Sequence, residues 1–274
     1  MNVRQSVRLV QLQITERAGE EALQQAKELV GYVMEIDPKA LPMHGDMELT
    51  GVQMEELGTL AARRQGGEPL QYVLGGWDFM GMPFLVERGV LIPRQDTEVL
   101  CEKALGLIEA HGYGTVLDLC CGSGCIGVSL AKLGDVSVTM SDCSPDCVRI
   151  AGENAALNEV TDRVEVLSGD LFQPVEGKSF DLICCNPPYL TKADMDSLQL
   201  EVTFEPALAL YGGPDGLDYY RRIRSDYKRF LNPGGALLLE CGAAQGEAIA
   251  GLFPGAEIIL DYAGNPRVAV VEER

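Results

Sequence analysis

The residues with the most specific chemistry in this chain are Asn186-Pro187-Pro188-Tyr189, which follow directly on the apolar run Phe180-Asp181-Leu182-Ile183-Cys184-Cys185. Two prolines fix φ and remove two backbone donors, so nearby carbonyls stand as rigid acceptors, and the Asn186 side chain adds another. The Asn186 side-chain oxygen and the Pro187 carbonyl together suit a planar NH2 group. Holding both of its hydrogens draws the nitrogen lone pair out of conjugation and towards an electrophilic methyl group. Tyr189 is placed to stack on a flat substrate. The plainer reading of such a turn is a stiff corner after a strand.

A second cluster points to a nucleoside cofactor. Asp118-Leu119-Cys120-Cys121-Gly122-Ser123-Gly124 leads from a strand into a helix, and its small residues let the backbone approach a ligand closely. Asp142 ends the next strand, 18 residues beyond Gly124, where a carboxylate can accept both hydroxyls of an adenosine ribose. Gly169-Asp170-Leu171-Phe172 follows the third strand, with a carboxylate for the adenine amino group and apolar cover for its face. These features suit S-adenosylmethionine, and with Asn186 at the reacting end they make up the candidate cofactor site. Gly122-x-Gly124-x-x-Gly127 also matches the dinucleotide fingerprint, so an NAD-dependent dehydrogenase is a rival, although it leaves the Asn-Pro-Pro-Tyr turn unexplained. The spacings Cys121-x3-Cys125 and Cys143-x3-Cys147 are ones that zinc can use. The favoured reading of the nine cysteines is reduced, largely buried thiols with no metal.

An α/β fold would position these residues. TVLDL (115–119), VSVTMS (136–141), RVEVL (163–167), FDLICC (180–185) and ALLLE (236–240) read as strands alternating with helices. That pattern predicts a parallel, Rossmann-like sheet with helices on both faces and ligands outside the carboxyl ends of its strands. Before it, Ala22, Leu23, Ala26, Leu29, Val30, Val33 and Met34 recur on one helix face, and Thr50-x-x-Gln53 reads as a capping box opening a helix that ends at Gly66-Gly67. Leu57, Leu60 and Ala61 give that helix its apolar face. The expected organisation is a helical domain over 1–75 suited to recognition, a hairpin connector over 76–92 and a catalytic domain over 93–274.

Lys and Arg total 22 against 41 Asp and Glu, a formal net charge of −19. Such a field repels phosphates, so direct nucleic-acid binding is not expected and a basic protein surface is the better partner. No apolar stretch reaches the ~18–20 residues that span a bilayer, and the first residues hold no signal-peptide pattern. The expectation is a cytoplasmic protein that makes no membrane contact.

Together these segments resemble the class I S-adenosylmethionine-dependent methyltransferases, and the NPPY turn is similar to that of members acting on amide or amino nitrogens. GEPLQYVLG (67–75), LIPRQDTE (91–98), DLCCGSGCIGVSLA (118–131), SDCSPDCVRIAGENA (141–155), FEPALALYGGPDGLDYYRRI (204–223) and LNPGGALLLECGAAQGE (231–247) narrow the resemblance. They are similar to the PrmC/HemK family of protein-(glutamine-N5) methyltransferases, in order from residue 67 to Arg267. The resemblance implies methylation of the glutamine in the Gly-Gly-Gln motif of peptide chain release factors. It also implies that Cys120 to Gly124 and Asp142 bind the methionine and ribose parts of the cofactor, that Leu171 lies by the adenine, and that Asn186 to Tyr189 hold the glutamine. The family usually has glycine where this chain has Cys120, a departure that bears on loop shape because cysteine tolerates positive φ poorly. The alternatives are an adenine-N6 nucleic-acid methyltransferase, which presents the same amino geometry to Asn186, and a non-catalytic cofactor-binding scaffold.

Overall fold

The computed structural model describes residues 1–273 and divides into two compact units, Met1–Gly75 with Gln199–Phe204, and Gly76–Leu198 with the residues from Glu205 onward. The first unit is helical: α1 (Val3–Ala18), α2 (Ala22–Met34), α3 (Gly51–Gln65) and the short α4 (Leu70–Leu74). Capping boxes open α1 through Asn2 and Gln5, and α3 through Thr50 and Gln53, each satisfying backbone donors that a helix start leaves free. Ile14, Ala26, Leu29, Val30 and Ala61 are among the residues forming its core. Leu23 departs from the expected face and is 43% exposed, because it lies about 100° around the helix from the Ala22 position. Arg64 is buried, donates to Gln25 Oε1 at 2.7 Å and pairs with Glu201, which ties the 199–204 segment to this unit. Gly67 has φ +93°, and a Cβ there would stand 2.5 Å from Leu200 Cδ2, so that close approach requires glycine.

The second unit opens with a hairpin, β1 (Gly76–Phe79) and β2 (Met82–Leu85), paired antiparallel across a Met80-Gly81 corner in which both residues have positive φ. Next come α5 (Gln95–His111), β3 (Thr115–Leu119), α6 (Cys125–Gly134), β4 (Ser137–Asp142), α7 (Pro145–Leu157), β5 (Val164–Ser168) and β6 (Phe180–Cys185). The chain continues with the short helices α8 (Lys192–Met195) and α9 (Ala207–Leu210), then α10 (Asp218–Asp226), β7 (Leu231–Glu240), α11 (Gly246–Leu252), β8 (Glu257–Leu260) and β9 (Pro266–Glu272).

A seven-stranded sheet orders these as β5-β4-β3-β6-β7-β9-β8, and β9 alone runs against the rest. The five strands read from the sequence, β3 to β7, pair parallel as expected, and β8 and β9, which that reading did not name, make the sheet a mixed one. β8 and β9 are joined by a tight reversal, in which Asp261 Oδ1 accepts the N–H groups of Ala263 and Asn265 at 2.9 Å each, with no helix between them. Strand alternation sends Val116, Leu182, Cys184 and Leu238 to one face, against Leu100 and Ala104 of α5 and Leu130 of α6. Leu117, Leu119, Ile183 and Leu239 face the other way, against Tyr220 and Ile223 of α10 and Ile249 of α11. Covering both faces in this way explains why the parallel strands read as nearly continuous apolar runs.

Helix α6 packs tightly on the sheet through Gly127. A Cβ there would fall 2.6 Å from Met140 Sδ and 2.9 Å from Asp118 Oδ2. Gly127→Ala should therefore cost about 1–3 kcal/mol by overpacking, read as a lower thermal midpoint, and an unchanged midpoint would show that the helix can move off the sheet freely.

Candidate active site

The carboxyl ends of β3, β4, β5 and β6 open into one cleft of about 960 Å³, counting the part open to solvent. Cys120, Cys121, Gly122 and Ser123 line it after β3, Asp142 after β4, Asp170 and Leu171 after β5, and Asn186 and Pro188 after β6. Residues that the sequence scatters over some seventy positions are thus brought to one wall.

Asp142 ties the wall together. Its Oδ2 accepts the Gly122 N–H and its Oδ1 the Ser144 N–H, each at 2.9 Å, so one carboxylate fixes the glycine turn and the start of the next helix. Each oxygen keeps a further lone pair for a ligand hydroxyl. Gly122 has φ +55°, and a Cβ there would meet nothing within 4 Å, so open space lies beside this stretch of backbone. Cys120, at the position that departs from the family pattern, has φ +59°, the left-handed conformation that favours glycine. Leu171 is left-handed too, at φ +48°. Asp170 reaches the cleft with Oδ2 already 2.5 Å from an Arg222 nitrogen, so one of its oxygens is partly spoken for.

Four sequence candidates lie outside this wall: Asp118, Gly124, Pro187 and Tyr189. Asp118 is fully buried under α6; its Oδ2 accepts the Gly127 N–H at 2.8 Å, and Oδ1 has no partner. It secures the helix start rather than facing the cleft. Gly124 caps α6 in the left-handed region at φ +77°. Tyr189 turns away to pack on the α10 and α11 side of the sheet, its carbonyl accepting from Gln245 Nε2 at 3.0 Å, and burial pushes its phenol up to about 12. The turn is gripped from outside: a Cβ on Gly212 would sit 2.6 Å from the Pro188 carbonyl oxygen, and one on Gly216 would sit 2.2 Å from that of Tyr189.

Several cleft residues carried no role in the sequence reading. Arg94 and Thr97 line the cleft, as do Pro206 and Tyr219. The buried Glu205 carboxylate accepts the Ile92 N–H at 3.2 Å and pairs with Arg94, holding the 92–94 stretch against its own segment. The Asn186 Nδ2 donates to Thr97 Oγ1 at 3.4 Å. The conspicuous LIPRQDTE segment was the available signal, but the partner of Ile92 and Arg94 lies more than a hundred residues downstream and that of Thr97 lies 89 residues downstream. Five thiols, those of Cys120, Cys121, Cys125, Cys143 and Cys147, also line the cleft. Among the described residues, no group of His, Cys, Asp and Glu is placed to hold a metal ion, and no helix is long and apolar enough to cross a membrane.

The sheet order with a single reversed strand, and the ligand cleft at its carboxyl edge, define a class I methyltransferase. A methyltransferase from Pyrococcus furiosus shares the fold at TM-score 0.51 and 15% identity, over 81% of this chain and 98% of the other. The catalytic domain of hMettl16 shares it at TM-score 0.56 and 15% identity, over 81% of this chain and 82% of the other. Residues 97–209 match the Methyltransferase small domain, and residues 7–75 match the PrmC N-terminal domain. The release factor glutamine methyltransferase of Clostridium acetobutylicum is 38% identical over 88% of each chain. That of Geobacter sulfurreducens is 41% identical over 88% of this chain and 84% of its own. The chain belongs to the release factor glutamine methyltransferase family.

Two buried carboxylates near the site set a pH dependence. Burial pushes Asp118 up to about 7, and it pushes Glu240 up to about 7 against the pull of Thr97, Arg267 and Arg94. Between about pH 4 and pH 7 the native protein keeps protons that the unfolded chain has released, so stability falls as pH rises through that window. Each group contributes on the order of 3–4 kcal/mol to the fall. Asp118→Asn, which keeps an acceptor for Gly127, should remove roughly half of the decline in thermal midpoint between about pH 5 and about pH 8. An unchanged slope would place the titration elsewhere.

Proposed function

We propose that this protein transfers the methyl group of S-adenosylmethionine to the side-chain amide nitrogen of the glutamine in the Gly-Gly-Gln motif of peptide chain release factors. The observation that carries this reading is that Asn186 opens onto the same cleft as the Gly122 turn fixed by Asp142. The extensive similarity to relatives of that name supplies the substrate.

The residues present suit the cofactor. The backbone from Cys120 to Ser123, with open space beside Gly122, would hold its methionine part, Asp142 its ribose, and Leu171 with Asp170 the adenine. When bound, S-adenosylmethionine supplies an electrophilic methyl group on a sulfonium. Asn186 takes one hydrogen of the substrate amide on Oδ1, and the second acceptor assigned from the sequence is the carbonyl of Pro187, which lies between the two cleft residues Asn186 and Pro188 without itself lining the cleft. The two acceptors localise the nitrogen lone pair and stabilise the positive charge that grows on nitrogen. The proline-locked backbone and its glycine grip aim that nitrogen along one line, and holding reacting atoms roughly 3–3.5 Å apart supplies several kcal/mol without a strong base. Proton loss to water completes the reaction, consistent with a chain that carries only two histidines.

Asp118, Gly124 and Tyr189 support the site from behind in this reading. The 1–75 domain recognises the release factor, whose basic surface complements a chain of net charge −19. The proposed setting is the cytoplasm, where translation takes place, with no direct part for nucleic acid or membrane.

Incubation with tritiated cofactor should label a release factor, and should leave unlabelled the same factor with its Gly-Gly-Gln glutamine replaced. Label entering nucleic acid instead would overturn the assignment. Asn186→Ala should lower turnover at least a hundredfold while calorimetry shows cofactor still bound, on the scale of losing a positioned acceptor. Asp142→Ala should instead weaken cofactor binding about tenfold or more, as expected for lost hydrogen bonds to a charged group; unchanged affinity would remove the ribose contact.

A further inference from the structure

We infer that Tyr219 binds the cofactor, its ring covering the adenine base beside Asp170 and Leu171. The inference rests on the cofactor site proposed above and adds a residue that the sequence reading gave no role.

Helix α10 sets the direction of this ring. Tyr220 and Ile223 are fully buried against the sheet, and the Tyr220 hydroxyl donates to the Glu240 carbonyl at 2.7 Å, which fixes the rotation of the helix about its axis. Tyr219 lies about 100° around the helix from Tyr220, so it leaves the sheet face, and it lines the cleft. Arg222, three residues on, projects from the same side. The helix start is held as well: the Asp218 N–H donates to the Gly212 carbonyl at 3.0 Å, and Gly212 passes closely over the Pro188 carbonyl.

The loop after β5 is docked on this same helix and its continuation at two points. Arg222 donates to Asp170 Oδ2 at 2.5 Å, and its guanidinium carbon stands 5.7 Å from the centre of the Tyr219 ring. Two residues beyond Asp170, Phe172 stacks on Phe230, in the short turn that follows α10, with ring centres 4.6 Å apart and planes 8° from parallel. Leu171, between the two ties, is left-handed and lines the cleft. Asp170, Leu171 and Tyr219 are thus drawn into one stretch of wall: a carboxylate, an aliphatic side chain and an aromatic ring.

The chemistry of that stretch matches a purine. Among the described residues that line the cleft, Tyr219 is the only aromatic one. Adenine presents a broad π face, and stacking a base on an aromatic side chain is a strong source of binding. The Asp170 oxygen that Arg222 leaves free can accept the amino group at the base's edge while the ring covers its face. A cleft aromatic could instead stack on the methyl acceptor. Tyr219, however, is tied through Arg222 to Asp170, whereas Asn186 is tied to Thr97.

The test uses the full-length protein, calorimetry with S-adenosylhomocysteine, and steady-state methylation of an intact release factor. Tyr219→Ala should bind S-adenosylhomocysteine about tenfold more weakly, the scale of one lost base–aromatic stack, and should raise KM for S-adenosylmethionine by a similar factor. Its kcat at saturating cofactor should fall no more than about twofold, because the reacting atoms meet at Asn186; a general loss of structure would lower kcat as well. Tyr219→Phe, which keeps the ring, should recover most of the affinity, to within about threefold of wild type. Unchanged affinity in Tyr219→Ala, a Phe variant as weak as the Ala variant, or a loss confined to kcat would each overturn the role of Tyr219. Wild-type protein that binds no S-adenosylhomocysteine would overturn the cofactor site itself. Wild-type protein that binds it but leaves the factor's glutamine unmethylated would overturn the proposed function alone, a result distinct from the others.

Discussion

The cleft depends on one carboxylate that serves two strands' ends at once. Asp142 receives the N–H of Gly122 from the turn after β3 and that of Ser144 from its own turn, so both turns share one anchor. A glycine-rich turn has many conformations of similar energy, and a charged acceptor with two donors selects one of them. The selected conformation leaves open space beside Gly122, which is what a nucleoside needs. Without this clamp the left-handed residues around it, Cys120 and Gly124 among them, would have no fixed frame to be left-handed in.

The turn after β6 is stiffened differently. The Asn186–Tyr189 turn draws its rigidity from two prolines and from the close passage of Gly212 and Gly216 over its carbonyls. Behind it, Glu205 fastens Arg94 and the Ile92 backbone. The turns after β3 and β4 are thus held by hydrogen bonds to a carboxylate, and the turn after β6 by its prolines and by steric closure. The carboxylates at Asp118 and Glu240 are buried at a cost in stability at neutral pH, a pattern common where polar groups are held for function rather than for folding.

Much of this was legible in the sequence. The five parallel strands could be read because burial on both faces demands apolar runs, and the turn residues after them declare their own chemistry. The capping box at Thr50 was legible for the same reason. β8 and β9 were not, since their reversal is made by Asp261 hydrogen bonds and not by a helix of visible period. At the cleft, sequence gave positions along strands but not the direction of each side chain. Asn186 and Pro188 face in and Tyr189 faces out, and Asp118 points under α6. Arg94, Thr97 and Glu205 stayed silent because each acquires meaning only from a partner far along the chain.

The thiols in the cleft wall have a chemical consequence of their own. A protein that hosts an alkylating sulfonium exposes its own nucleophiles to self-modification, and thiolate sulfur is among the most reactive of these. Burial pushes Cys125 and Cys147 up to about 12, and raises Cys121 and Cys143 as well. Held as neutral thiols, these side chains are polarizable padding and inert bystanders, so the chemistry is reserved for the incoming amide.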